Sequence, residues 1–226
     1  MTSIPLILRL KKEAHKNTAK AQDIVVETLY EIIDDAVLHG GTAIWRCYHG
    51  NRFSEDIDAY IPRNIKKINL FFSRLEKKGF LIQKKKISEN SIYSALFINN
   101  TFVRFEAIFK RVKGALKEYE TADSNFIAVY TLTPEEFINE KVSTYLGRGE
   151  IRDLYDVFFL LRYAHDFNEI TKSLKHLVKN YQKPEDESDL KVLILEGIIP
   201  DSDKMLNYIK NILNSAGKNG QGKISG

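Results

Sequence analysis

The first clear hydrophobic rhythm lies in residues 18–33, where Val25, Leu29, Ile32 and Ile33 recur at the spacing of one helix face. Asp34-Asp35 breaks it, and Ala36-Val37-Leu38 reads as a short strand running into Gly40-Gly41. Thr42 to Tyr48 then reads as a short helix, His49-Gly50-Asn51 as a turn, and Glu55 to Ile61 as a second strand ended by Pro62. Ile65 to Lys78 is amphipathic, with Ile68, Phe71, Phe72 and Leu75 on one face and Gly79 as its stop. Three apolar runs follow, Phe80 to Gln83, Ile92 to Ile98 and Phe102 to Phe109, and Asn99-Asn100 predicts a hairpin between the last two.

The pattern changes at Thr133-Pro134-Glu135-Glu136, which sets a capping hydroxyl, a first-turn proline and a glutamate three positions on. From there the chain reads as helical to about Leu213, with breaks near Gly147, Asp166, residues 181–187 and residues 197–201. The expected fold is α+β. A mixed β-sheet domain with helices on one side occupies residues 1–132, a helical domain occupies residues 133–214 and completes the active cleft, and residues 215–226 form a Gly-, Lys- and Ser-rich flexible tail.

Composition narrows the class. With 226 residues, 43% hydrophobic and 28% charged, the chain can bury a substantial core. No apolar run is long enough to cross a bilayer, and Ile4-Pro5-Leu6-Ile7-Leu8 lacks the basic segment and cleavage site of a signal peptide, so no membrane partner is expected. Cys47 is the single cysteine, which excludes an intrachain disulfide and makes a cytoplasmic location the expectation. The net charge of +4 is mild. Its distribution says more: Lys11-Lys12, Lys66-Lys67, Lys77-Lys78, Lys84-Lys85-Lys86 and Lys110-Arg111 cluster in the first two-thirds, compatible with an RNA partner or simply with a solvated surface.

The chemistry concentrates in His39-Gly40-Gly41-Thr42 and Arg52-Phe53-Ser54-Glu55-Asp56-Ile57-Asp58. Alternate residues of a strand share a face, so Asp56 and Asp58 point the same way. Neighbouring carboxylates repel unless a cation lies between them, which suits Mg²⁺ or Mn²⁺ held together with substrate phosphates. Gly40-Gly41 admits a phosphate close to the backbone, Thr42 is expected to cap the helix behind it, and Arg52 and Ser54 stand near enough to touch phosphate. His39, His49 and Trp45 are read as structural.

These blocks resemble the DNA polymerase β-like nucleotidyltransferase superfamily, whose pattern is a Gly-Gly or Gly-Ser turn followed by Asp-x-Asp on a strand. Gly-Gly-Thr-Ala with Arg-Phe-Ser-Glu-Asp-Ile-Asp is similar to the AbiEii/AbiGii toxin group, which includes the MenT toxins. Lys141, Arg148 and the Arg152-Asp153-Leu154-Tyr155-Asp156 block are similar to that group's second motif. The resemblance implies a third metal carboxylate on a neighbouring strand, for which Glu106 is the candidate, although a salt bridge to Arg104 is the alternative. It implies that Lys141 and Asp153 belong to the active site, with Asp153 either activating the attacking hydroxyl or fixing Lys141. Lys141, Arg148 and Arg152 would face the nucleotide, unless Arg152 merely pairs with Asp156. The implied function is transfer of a nucleoside monophosphate from an NTP to an acceptor hydroxyl, on tRNA, by the toxin of a toxin–antitoxin or phage-defence pair with a cognate antitoxin. The alternatives are a small-molecule or protein acceptor, or a non-catalytic nucleotide- or RNA-binding member of the fold.

Overall fold

A computed structural model describes residues 4–220. The chain divides into two compact units, one ending at Leu132 and the other beginning at Thr133. The first unit runs α1 (Leu6–Arg9), α2 (Glu13–Ile32), β1 (Val37–His39), α3 (Gly40–Cys47), β2 (Ile57–Ile61), α4 (Ile65–Lys77), β3 (Leu81–Ile87), β4 (Ser91–Ile98), β5 (Thr101–Phe109), β6 (Ala115–Glu120) and β7 (Phe126–Thr131). Its strands form one mixed sheet in the order β3-β4-β5-β2-β1-β7-β6. The β5–β2 and β1–β7 pairs are parallel and the others antiparallel.

One sheet face carries Ile57, Ala59, Phe105 and Ala107, all about fully buried. The α4 stripe of Ile68, Phe71, Phe72 and Leu75 is buried too, and the Phe71 ring lies 4.9 Å from that of Phe105. Each such side chain contributes about 1.5–3 kcal/mol of burial. Asn64 caps α4 by accepting from the Lys67 amide at 3.1 Å, and Gly79 follows the helix with φ of 97°. The Asn99-Asn100 turn takes φ of 47° and 59°, the left-handed pair that a two-residue hairpin loop requires.

The structure departs from the sequence pattern in several places. β2 begins at Ile57 rather than Glu55, because the Asp56 carbonyl accepts from the Thr42 hydroxyl instead of a neighbouring strand. β3 extends through Lys84, Lys85 and Lys86 to Ile87, as a charged edge strand can. β6 and β7 had no sequence counterpart: Leu116-Lys117-Glu118-Tyr119-Glu120 is too polar to read as a strand, and only its pairing with β7 makes it one.

The second unit is helical: α5 (Pro134–Arg148), α6 (Ile151–Leu160), α7 (Phe167–Asn180), a 3₁₀ turn at Glu187–Asp189, α8 (Leu190–Leu193) and α9 (Ser202–Gly220). The capping box forms as expected, with the Glu136 amide donating to Thr133 Oγ1 at 3.2 Å and the Thr133 amide to Glu136 Oε2 at 2.8 Å. Gly149 ends α5 with φ of 73°. Phe137, Leu154, Val157, Leu174, Leu177 and Ile209 form its core. α9 continues through residues 215–220, which the sequence assigned to a flexible tail; the rest of that tail, 221–226, lies outside the described residues. Among the described residues, no helix is long and apolar enough to cross a membrane.

Candidate active site

Register fixes which side chains share the sheet face opposite α4. His39 pairs with Asp58, Asp58 with Glu106, Glu106 with Tyr93, and Tyr93 with Lys86. Directly opposed residues point to the same side, so these five stand in one row across five strands. Asp58 and Glu106 are therefore lateral neighbours. Burial, followed by the charge of Asp58, holds the Glu106 carboxyl above its usual range, while Arg104 and His39 oppose that shift. His39 stacks on Tyr60 with ring centroids 4.0 Å apart, consistent with a structural part.

Gly40 adjoins this row and begins α3 with φ of 71°. A Cβ there would lie 2.8 Å from Asp58 Cγ and closer still to Oδ2. A Cβ on Gly41 would meet Arg52 Nη2 at 2.5 Å and Ser54 Oγ at 2.7 Å. The two glycines thus let the start of α3 lie flat against Asp58 and the Arg52–Ser54 loop, with its first backbone N–H groups unclaimed by the helix. Gly40→Ala combines a left-handed residue with displacement of Asp58. It is expected to cost about 1–3 kcal/mol and to remove transfer activity, checked by thermal unfolding and a transfer assay on the same preparation.

Thr42 does not cap α3. Its hydroxyl donates to the Asp56 carbonyl, and Gln22 Nε2 donates to the Ser54 carbonyl at 2.9 Å, so α2 and α3 together pin the strand that carries the carboxylates. Arg52 is 6% exposed and donates to the Phe53 carbonyl at 3.1 Å, which makes it an internal brace beneath Gly41.

Asp56 falls on the same face as Asp58 but is engaged differently. Arg104 Nε donates to Asp56 Oδ1 at 2.7 Å and Nη2 donates to Oδ2. The expected Glu106–Arg104 alternative is thus replaced by an Asp56–Arg104 pair. Among the described residues, no three His, Cys, Asp or Glu side chains are gathered as a ready metal cage. The chemistry of Asp56, Asp58 and Glu106 still fits a hard divalent cation: all donors are carboxylate oxygens, and Asp58 and Glu106 stand side by side across the β2–β5 pair.

The second motif assembles within the helical unit. Lys141 Nζ lies 3.1 Å from Asp153 Oδ1 and 2.8 Å from Asp156 Oδ2, and Arg148 Nε lies 2.7 Å from Asp153 Oδ2. Lys141 is 8% exposed, Asp153 0% and Asp156 1%. Asp156, which the sequence assigned only to a helix pair with Arg152, is part of this cluster. It lies one helical turn beyond Asp153, so both carboxylates of α6 reach the same ammonium. Arg152 pairs instead with Glu150 at 2.5 Å. An open cavity of about 920 Å³ in this unit is lined by Arg148, Arg152, Lys183, Glu150 and Asp186 among others.

The buried cysteine is no nucleophile, since burial pushes the Cys47 thiol up to about 12. Trp45 is 1% exposed and packs edge-on to Phe53 at 4.9 Å, a core residue as expected.

Residues 28–215 match the family model described as nucleotidyl transferase AbiEii toxin, type IV TA system. Among solved structures, the chain is similar to JHP933 from Helicobacter pylori at 18% identity, covering 92% of this chain and 94% of that one, with a TM-score of 0.64. It is similar to a putative nucleotidyltransferase from H. pylori at 19% identity, covering 92% and 96%, with a TM-score of 0.62. It is also similar to MenT4, a nucleotidyltransferase toxin from Mycobacterium tuberculosis H37Rv, at 16% identity, covering 92% and 90%, with a TM-score of 0.61. These identities speak for a shared fold, a mixed sheet followed by helices. No curated protein matches the sequence. The family match, in contrast, runs from α2 into α9 and takes in both motifs: the chain belongs to the AbiEii nucleotidyltransferase toxin family of type IV toxin–antitoxin systems.

Proposed function

We propose that the protein is a cytosolic, divalent-metal-dependent enzyme that moves a nucleoside monophosphate from an NTP to a hydroxyl on RNA, with tRNA as the natural acceptor. The observation that carries the reading is Asp58, opposite Glu106 in the sheet, lying against a glycine, Gly40, that has no room for a side chain. The N–H groups at the start of α3, with Ser54, bind the phosphates. Asp56, Asp58 and Glu106 hold the cation, which when bound supplies positive charge against the triphosphate. The acceptor hydroxyl releases its proton to solvent, its oxygen bonds to the α-phosphorus, the bond from the α-phosphorus to the bridging oxygen of the β-phosphate breaks, and pyrophosphate leaves. Within the helical unit, Lys141 and Arg148 are the cations of the second motif, suited to binding phosphate by positioning and charge neutralisation. Asp153 is buried between two cations, which favours fixing Lys141 and Arg148 over accepting a proton.

Two lysines favour RNA over a small acceptor. Lys84 and Lys86 share the face of Tyr93 and Glu106, and the Lys84 ammonium lies 5.2 Å from the Tyr93 ring centre. Lys85 faces the other side, over Phe72 at 5.0 Å. Two cations beside an aromatic ring, in the row of Asp58, suit a phosphodiester backbone with a stacked base.

The test incubates the protein with each labelled NTP, total RNA and a protein fraction, with and without EDTA. Metal-dependent label in RNA is the expected result, and label only in protein or metabolites moves the reading to the small-acceptor alternative. Lys141→Ala would leave Asp153 and Asp156 facing each other while buried, so loss of activity there would not separate binding from folding. Arg148, with its side chain 40% exposed, is the cleaner probe. Arg148→Gln is expected to raise the KM for NTP about tenfold and to lower melting modestly, since Lys141 stays beside the buried Asp153.

A further inference from the structure

The Asp56–Arg104 pair has a consequence for the order in which the site is filled. β2 and β5 are parallel with Asp58 opposite Glu106, so the next positions on that face are Asp56 and Arg104. Both oxygens of Asp56 are taken by one guanidinium, the two-pronged geometry that makes such pairs strong and directional. The pair is not buried: its side chains are 42% and 25% exposed.

We propose that Arg104 is a latch on the cation site, holding Asp56 while the site is empty and passing to substrate phosphate when the cation arrives. The proposal rests on the nucleotidyltransferase reading above. A divalent cation and a guanidinium compete for the same oxygens of Asp56, so the cation alone pays to displace Arg104. The released guanidinium then stands at the edge of a site that receives a triphosphate, and phosphate is a partner it binds with the same two-pronged geometry. Cation and triphosphate therefore assist each other's binding, reciprocally. Neither ligand alone fills the site well, which keeps the site unmetallated without substrate.

The first measurement is Mn²⁺ binding followed by the electron paramagnetic resonance of the free ion, with no nucleotide present. Arg104→Gln is expected to bind Mn²⁺ about tenfold more tightly than wild type, and Arg104→Lys, which can hold only one oxygen, to lie between them. Equal or weaker Mn²⁺ affinity in Arg104→Gln overturns the latch. Asp58→Asn separates this from failure of the underlying reading: weaker Mn²⁺ binding in Asp58→Asn keeps the cation site whatever Arg104→Gln shows, and unchanged binding removes the site and the latch with it. The second measurement follows the Arg104 Nε–H resonance of the wild-type protein. It is expected to shift and exchange faster at saturating Mg²⁺, and to recover protection when inorganic tripolyphosphate is added. An Nε–H signal that stays in place at saturating Mg²⁺ overturns the proposal.

Discussion

Asp58→Asn is expected to lower nucleotide transfer by about a thousandfold or more, a loss of several kcal/mol of charge stabilisation around the reacting phosphate. The substitution keeps shape and removes one charge from the Asp58–Glu106 pair. The Glu106 carboxyl should then return toward its ordinary range, because the charge of Asp58 is one of the two leading causes of its shift. The fold should be retained, since a like-charge neighbour has been relieved. Asp56→Asn should also lose activity, but with a different stability signature, because it breaks the pair with Arg104. The check is a transfer assay with melting curves for both variants. Transfer by Asp58→Asn within tenfold of wild type would remove the cation site from Asp58.

The largest effect on stability is expected at Arg46. This residue is 0% exposed, and its guanidinium donates to Asp23 Oδ1 at 2.7 Å, the Ala19 carbonyl at 2.9 Å and the Glu120 carbonyl at 3.1 Å. It lies 4.4 Å from the Trp45 ring centre and 5.0 Å from that of Tyr119. Asp23 Oδ2 accepts from the Ala122 amide at 2.7 Å, and the Tyr119 hydroxyl donates to Oδ1 at 3.2 Å. The cluster joins α2, α3 and the end of β6. Arg46→Met leaves a buried carboxylate without its cation, which costs about 3–5 kcal/mol, a large share of a whole domain's stability. The double variant Arg46→Met/Asp23→Asn should recover part of the loss.

The same cluster makes stability depend on pH. Burial, opposed by Arg46, raises the Asp23 pKa from 3.8 to about 6. Between those values the folded state keeps a proton that the unfolded chain has released, so this group's contribution falls as pH rises through that window and levels off above it. The fall amounts to about 3 kcal/mol. In Arg46→Met the carboxyl loses its main opposing charge, so the window extends upward and the variant's deficit should be greater at pH 8 than at pH 5. Urea unfolding at the two pH values checks this; an equal deficit at both would mean that Asp23 does not titrate in the fold.

Local pattern revealed most of the helices, though not α1, and the capping box, the Asn-Asn hairpin and both motif blocks, because each is a short-range signal of spacing or turn chemistry. What escaped was set by partners distant in sequence. Asp56 and Arg104 meet only because β2 and β5 lie side by side, and no spacing within either strand encodes that neighbour. Lys84, Lys85 and Lys86 form one cluster in sequence but divide between two faces once β3 pairs with β4. Thr42 looked like a cap because it follows two glycines; the hydroxyl instead found a carbonyl across the fold. Asp156 was given a helix partner four residues back, yet a lysine on another helix claimed it.

The parallel pairing of β2 with β5 also bears on when this protein becomes dangerous to the cell that makes it. A growing chain that has emerged only past Ile61 carries Gly40, Asp56 and Asp58 but neither Arg104 nor Glu106. β1 in turn lacks its second neighbour until Thr131 has been made. Pairing between such distant strands forms slowly relative to local helices. Ribosome-bound and prematurely terminated fragments would therefore hold the recognisable motif without the neighbouring carboxylate, and toxicity would arise only from chains that have completed the sheet.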